Sequence, residues 1–218
     1  ASPKDIGADK GIFKKIVEFI LGTYQDDIIK PYGITVDSDG RVIVADTAFK
    51  RIHIYNLKKK SYTYIEGAGG YSLESPIGVA VDIDDNIYVS DSSAGKVFVY
   101  SKKGGFLFGI DAGKRPTGIA VNKEEKLLYV VDTGSHIVNV FDLKGGKMKA
   151  LGEPGVGTGR FNFPVDIFID GHGDVYVVDA MNYKIQIFDK DGRFITMFGT
   201  QGDGTGEFGR TKGVSVDR

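Results

Sequence analysis

The sequence contains no cysteine, which excludes disulfides, thiolate metal sites, a cysteine nucleophile and covalent haem attachment through this chain. Redox chemistry therefore does not indicate a compartment. An excess of either charge is also absent. The 28 Lys and Arg residues stand against 29 Asp and Glu, so no global field draws the chain to nucleic acid or to an anionic membrane, and such binding would need a local patch. No run approaches the roughly 18 consecutive apolar residues of a membrane span, and no signal peptide is legible. With Ala1 at the start in place of Met, the expectation is a soluble chain that has lost an N-terminal segment. Proline is scarce too, 6 residues against 31 glycines, which points to many tight turns. What is present is enough apolar residue, 41% of 218, to form the core of one large domain or two small ones.

The strongest positive signal is self-similarity. Four segments align: "PYGITVDSDGRVIVADTAFKRIHIYN" from Pro31, "PIGVAVDIDDNIYVSDSSAGKVFVYS" from Pro76, "PTGIAVNKEEKLLYVVDTGSHIVNVFD" from Pro116 and "PVDIFIDGHGDVYVVDAMNYKIQIFD" from Pro164, with a fifth beginning "TKGVSVD" at Thr211. The spacings are 45, 40, 48 and 47 residues, the period of propeller blades. Each unit reads as a short strand, a polar turn, a second strand ending in Asp, a five-residue loop, a third strand and, after another turn, a fourth ("SYTYIEG", "GGFLFGI", "GKMKALG", "RFITMFG"). Alternating β-branched and aromatic residues bounded by Asp, Gly and Lys favour strands and hairpins over helices. The expected fold is therefore all-β, a β-propeller of four-stranded antiparallel blades, since radial packing buries both faces of every sheet.

These motifs resemble the NHL repeat family, whose units carry P-x-G-[IV]-A-V-D, a strand of the type [IV]-Y-V-x-D and a third strand preceded by Asn and Lys or Arg, best matched in "MNYKIQIF". The connectors "GEPGVGTGRFNFP" and "GTQGDGTGEFGRT" are similar to that family's links between blades. The resemblance covers residues 31 to 218 and implies a six-bladed ring when complete. The expectation is one propeller domain over 1–218, incomplete at both ends, with blades near 31–66, 76–110, 116–152 and 164–199 and partial blades at 1–22 and 211–218. Six repeats of about 45 residues would make roughly 300.

"KGIFKKIVEFILG" breaks the repeat pattern. Its apolar residues fall at i, i+3, i+4 and i+7, which predicts a short amphipathic helix near residues 11–21, capped by Asp9 and stopped by Gly22. At about 16 Å it is too short to cross a membrane. It is expected to cover an exposed edge of its own propeller or to dock a partner through Phe13, Val17, Phe19 and Ile20. "SPKDIG" ahead of it and "PYGITVD" after it resemble exported bacterial NHL lipoproteins that are often encoded among multihaem cytochromes. That resemblance implies an exported, periplasmic, outer-membrane-surface or extracellular location, although the lipidated cysteine is missing.

Candidate chemistry is sparse. Asp46, Asp91, Asp132 and Asp179 recur in every blade, as expected of residues that cap backbone N–H groups rather than of a unique catalytic acid. Asp37, Asp82 and Asp170 start turns that lack EF-hand spacing. His53, His136 and His172 sit at non-equivalent repeat positions, so no shared metal site and no cofactor are expected. The Gly-rich connectors lead from strand to strand, without the helix N-terminus or GK[ST] ending of a phosphate loop. Lysines at 58–60, 102–103 and 144 share their face with the acidic turns "DSDG", "DIDDN" and "KEEK", a mixture that suits solvation more than an RNA track. There remain the residues that differ between equivalent loop positions: Phe49, Lys50 and Arg51, His136, and Met181, Asn182 and Tyr183. Aromatic and arginine side chains on such loops are common interface anchors, and loop variation without function is the competing reading. Asp166 replaces the glycine of the other repeats at the start of an innermost strand and is the candidate for an axial channel. The leading expectation is a non-enzymatic scaffold for protein partners, multihaem cytochromes among them. The alternatives are a channel-centred enzyme or small-ligand or metal binder of the propeller lyase or lactonase type, and an RNA-binding NHL domain.

Overall fold

In the computed structural model of the chain, the described residues are 28–209 and 211–216. The helix expected near 11–21, with Phe13, Val17, Phe19 and Ile20, lies outside them. Alternating side chains and polar turns produce four meandering antiparallel sheets, each with its strands in chain order. The first blade comprises Pro31–Val36, Arg41–Asp46, Arg51–Asn56 and Ser61–Ile65. The second comprises Pro76–Val81, Ile87–Asp91, Lys96–Tyr100 and Phe106–Asp111. In the third the strands are Pro116–Asn122, Leu127–Asp132, Ile137–Asp142 and Lys147–Leu151, and in the fourth Pro164–Ile169, Val175–Asp179, Lys184–Phe188 and Phe194–Phe198. The chain is part of a β-propeller.

The period-2 alternation of the middle strands sends side chains to both neighbouring blades. In the second blade Ile87, Val89, Phe98 and Tyr100 face the first, whereas Tyr88, Val97 and Val99 face the third. In the third blade Leu128, Val130 and Phe141 face the second, and Tyr129, Val131, Val138 and Val140 face the fourth. Burial of each such side chain contributes about 1.5–3 kcal/mol. The outermost strands carry their polar and residual apolar side chains to solvent, as in Lys147–Leu151 and Phe194–Phe198.

First strands of successive blades lie side by side around the axis. Their close approach explains the glycine of P-x-G. A Cβ at Gly33 would lie 2.6 Å from the Ile77 carbonyl oxygen, one at Gly78 2.5 Å from that of Thr117, and one at Gly118 2.5 Å from Asp166 Cα. Each innermost strand also shifts register beside this position.

Three details differ from the sequence reading. The loops between second and third strands hold four residues rather than five: each Asp pairs directly with the first residue of the third strand, Asp46 with Arg51, Asp91 with Lys96, Asp132 with Ile137 and Asp179 with Lys184. The connectors contain short pairings of their own, Glu153–Pro154 with Arg160–Phe161 and Thr200–Gln201 with Glu207–Phe208, both parallel. Residues 211–216 carry no strand pairing: an extended segment becomes a strand only with a ladder partner, and none of the described residues supplies one.

Gly78→Ala is expected to lower stability by about 1–3 kcal/mol, because the new methyl meets backbone on the adjoining strand. Gly171, whose Cβ would meet nothing within 4 Å, is the control, and Gly171→Ala should be neutral. Urea unfolding of both variants checks this; equal midpoints would contradict the close-approach explanation.

Candidate functional site

The loop face, where interblade connectors meet the turns between second and third strands, is organised by the repeated aspartates. Each is almost wholly buried, and a buried carboxylate needs hydrogen-bond donors. Asp46 accepts N–H groups from Ile29 (2.7 Å) and Lys30 in the connector and from Ala48 (2.8 Å) and Phe49 in its own turn. Asp91 accepts from Glu74 (2.6 Å), Ser75, Ser93 and Ala94, and Asp132 from Lys114 (3.0 Å), Arg115 (2.9 Å) and Gly134. Burial pushes the pKa of Asp132 up, but hydrogen bonds from the Ser135 side chain and from the Arg115 and Lys114 backbone outweigh it and hold the carboxyl below its usual range. In the fourth blade a one-turn 3-10 helix, Ala180–Asn182, replaces the ordinary turn. Asp179 there accepts Asn162 N–H (2.7 Å) and the side-chain amides of Asn182 (2.8 Å) and Gln186 (2.9 Å). Burial prevails over these donors, and Asp179 stays above the usual carboxylate range.

A second repeated contact crosses the seams. The hydroxyl following the aspartate donates to the carbonyl of the next blade's first residue: Thr47 to Pro76 (3.0 Å), Ser92 to Pro116 (2.8 Å) and Thr133 to Pro164 (2.6 Å). The fourth blade has Ala180 at this position and no such link. Across that seam Asp166 takes over, its Oδ2 accepting Val214 N–H at 3.1 Å. Its carboxylate lies between the innermost strand of the third blade, beside Gly118, and residues 213–214. Burial raises its pKa against the opposing N–H groups of Val214 and Ile167.

The other candidates divide into exposed and engaged groups. Phe49 and Met181 are exposed. Arg51 is engaged: its guanidinium lies 4.9 Å from the Phe49 ring centroid, 4.3 Å from that of Tyr64 and 2.5 Å from Glu66. Lys50 faces Glu74 at 3.4 Å. Lys50, His136 and Tyr183 occupy the same turn position as Gly95, each with φ between 53° and 68°. His136 Nδ1 accepts Phe163 N–H. Asn182 holds the long connector, donating to Gly155 O (3.0 Å), and Gln186 joins it by donating to Arg160 O and accepting Gly159 N–H. Within "MNYKIQIF", Asn182 and Gln186 thus serve to anchor the connector. Sequence reasoning passed over Phe163, an exposed aromatic with φ 60°, and the cations Lys114 and Arg115 beside it. The one available signal was an aromatic just before Pro164 where the other blades have Lys30, Ser75 and Arg115.

The opposite face is a mixed-charge surface. Lys102 bridges Asp39 (2.9 Å) and Asp85 (2.8 Å), and Ser38 donates to Asp85. Burial of Asp85 is outweighed by the Lys102 and Ser38 hydrogen bonds, which keep its carboxyl far below the usual range. Asp37, Asp82 and Asp170 accept N–H groups of their own turns. His172 lies in one of these turns, whereas His53 is buried on the third strand of the first blade. Among the described residues no group of three or more His, Asp or Glu is placed to hold a metal, and no helix is long and apolar enough to cross a membrane.

A family model described as a 6-bladed beta-propeller (DUF5128) matches residues 171–218. No curated protein sequence matches the chain. Solved structures of similar fold include virginiamycin B lyase from Staphylococcus aureus (18% identity, TM-score 0.64, covering 79% of this chain and 56% of that one). Hydrazine synthase from Kuenenia stuttgartiensis is similar at 19% identity and TM-score 0.63, covering 81% and 52%. A gluconolactonase from Xanthomonas campestris is similar at 20% identity and TM-score 0.60, covering 76% and 60%. The chain therefore spans little more than half the length of these structures, and at such identity the likeness is one of fold.

Asp166→Asn tests the seam assignment. The raised pKa means that this group's contribution to stability is present below the unfolded carboxyl pKa and is lost as pH rises through the folded one. Asn keeps an acceptor for Val214 N–H and buries no charge. The variant should equal or exceed the parent in urea midpoint at pH 8, with the advantage shrinking as pH falls through the carboxylate range. A midpoint clearly below the parent's at pH 8 would contradict this account.

Proposed function

We propose that this chain is an NHL-type propeller segment that acts as a non-enzymatic docking platform for protein partners through its loop face. The observation that carries the reading is the exposure of Phe49, Phe163 and Met181 on turns and connectors whose backbones are tied to buried carboxylates or to one another. Exposed apolar anchors on a rigid frame suit protein recognition, because little ordering entropy opposes binding. The repeated aspartates are committed to backbone and amide donors, which supports a structural role for them. The location in an exported or cell-envelope bacterial assembly, with multihaem cytochromes as candidate partners, rests on the resemblance of the N-terminal motifs.

Partner capture from the native source with paired variants tests this. Phe49→Ala with Met181→Ala should lose the captured partner, whereas reversal of Lys58, Lys59 and Lys60 to Glu, on the opposite face, should leave capture intact. The reverse pattern, or turnover of a small substrate by the purified chain that survives the loop-face changes, would overturn the reading.

A further inference from the structure

At the seam between the third and fourth blades, cations without a carboxylate partner among the described residues meet an unusual backbone, whereas several other cations of the loop face are paired. Lys50 faces Glu74, Arg51 faces Glu66, Lys96 faces Asp111 and Arg160 faces Glu153. Lys114 and Arg115, both exposed, form no ion pair with any of the described residues. Their backbone is nevertheless fixed. Both N–H groups are held by Asp132, and the adjacent turn packs so closely that a Cβ on Gly134 would come within 2.9 Å of Lys114 Cβ and 3.1 Å of Arg115 Cβ.

The Arg115 guanidinium lies 5.6 Å from the Phe163 ring centroid. Phe163 is 38% exposed and has φ 60°, a backbone conformation that a bulky L-residue adopts only under constraint. His136 contacts this residue twice, with Nδ1 accepting Phe163 N–H at 3.2 Å and the imidazole edge-on to the ring at 5.8 Å and 89°. Because Nδ1 accepts, the neutral imidazole carries its proton on Nε2, which adds a donor to the cluster.

We infer that the Lys114, Arg115, His136 and Phe163 cluster recognises an acidic peptide segment of a protein partner, with an Asp or Glu carboxylate on the cations and a neighbouring apolar or aromatic side chain on Phe163. This rests on the loop-face reading above and specifies its chemistry. Carboxylates pair with arginine through short, charge-assisted hydrogen bonds. Two cations held by a fixed backbone, with no carboxylate among the described residues to displace, favour such a partner on grounds of charge complementarity. The ring at the same spot selects a side chain alongside the charge, and two cations are too few for a nucleic-acid phosphate track.

The test is selection of random peptides displayed on phage against the purified chain. Recovered peptides are then measured by fluorescence polarisation on the parent and on Lys114→Glu, Arg115→Glu, Phe163→Gly, Phe49→Ala and Met181→Ala, each first checked for parental circular dichroism. The expected peptides carry Asp or Glu close to an apolar or aromatic residue. They should bind about tenfold or more weakly to Arg115→Glu and lose affinity as salt is added. Peptides weakened by Phe49→Ala or Met181→Ala, yet neutral or basic and indifferent to Arg115→Glu, would overturn this inference while leaving the platform reading in place. Binders insensitive to all five changes would overturn both. Recovery of no peptide, whether or not citrate binds in calorimetry, would also overturn the inference.

Discussion

A carboxylate at the end of each second strand, buried where no bulk water reaches it, has to draw its hydrogen-bond donors from the chain. In the first three blades two kinds of backbone segment supply them, the turn that follows the same strand and the connector that arrives from the preceding blade; in the fourth, the side-chain amides of Asn182 and Gln186 stand in for the turn. Asp91 and Asp132 thereby bind together pieces of chain some 17 residues apart. Removal of such a carboxylate would strand several inward-facing N–H groups, a loss that no surface residue compensates. The loops of this face are thus tied down almost as firmly as the strands, and their exposed side chains are presented in fixed positions.

The second constraint acts at the axis. Close approach of the innermost strands excludes a side chain at Gly33, Gly78 and Gly118, while the Thr or Ser hydroxyl after each aspartate secures the adjoining seam. Where the fourth blade departs from both rules, with Ala180 for the hydroxyl and Asp166 for the glycine, the departures compensate one another, and the carboxylate of Asp166 holds the first residues of the next repeat. The same reasoning separates frame from surface on the loop face. Asn182 and Gln186 belong to the frame, whereas the side chains of Phe49, Phe163, Met181, Lys114 and Arg115 stay exposed on it.

Much of this was legible in the sequence because propeller blades write their geometry locally. Strand alternation, turn residues and the recurring Asp lie within one repeat, so the four-stranded antiparallel sheets and the hydrogen-bonding role of the aspartates were legible from spacing alone. Contacts between repeats were harder to read. Thr47, Ser92 and Thr133 occupy one repeat position in plain view, but their acceptors are carbonyls of the following blade, 24 to 31 residues on. The engagement of Arg51 with Glu66 and Tyr64, and of Asn182 with the long connector, likewise depends on tertiary placement. The left-handed backbone of Phe163 had no signature in residue type, and the His136 acceptor of its N–H stands 27 residues earlier in the chain.

Buried carboxylates make the loop face rigid on this reading, and amide hydrogen exchange resolved by residue measures that rigidity directly. At pH 7 the N–H groups of Glu74, Ser75, Lys114, Arg115 and Asn162, all outside regular strands, should exchange as slowly as those of the flanking strands, and far more slowly than the amides of the opposite-face turns at Lys103 and Lys123. Exchange of Lys114 and Arg115 at the rate of unprotected turns would contradict the account, since the candidate surface would then be a set of mobile loops.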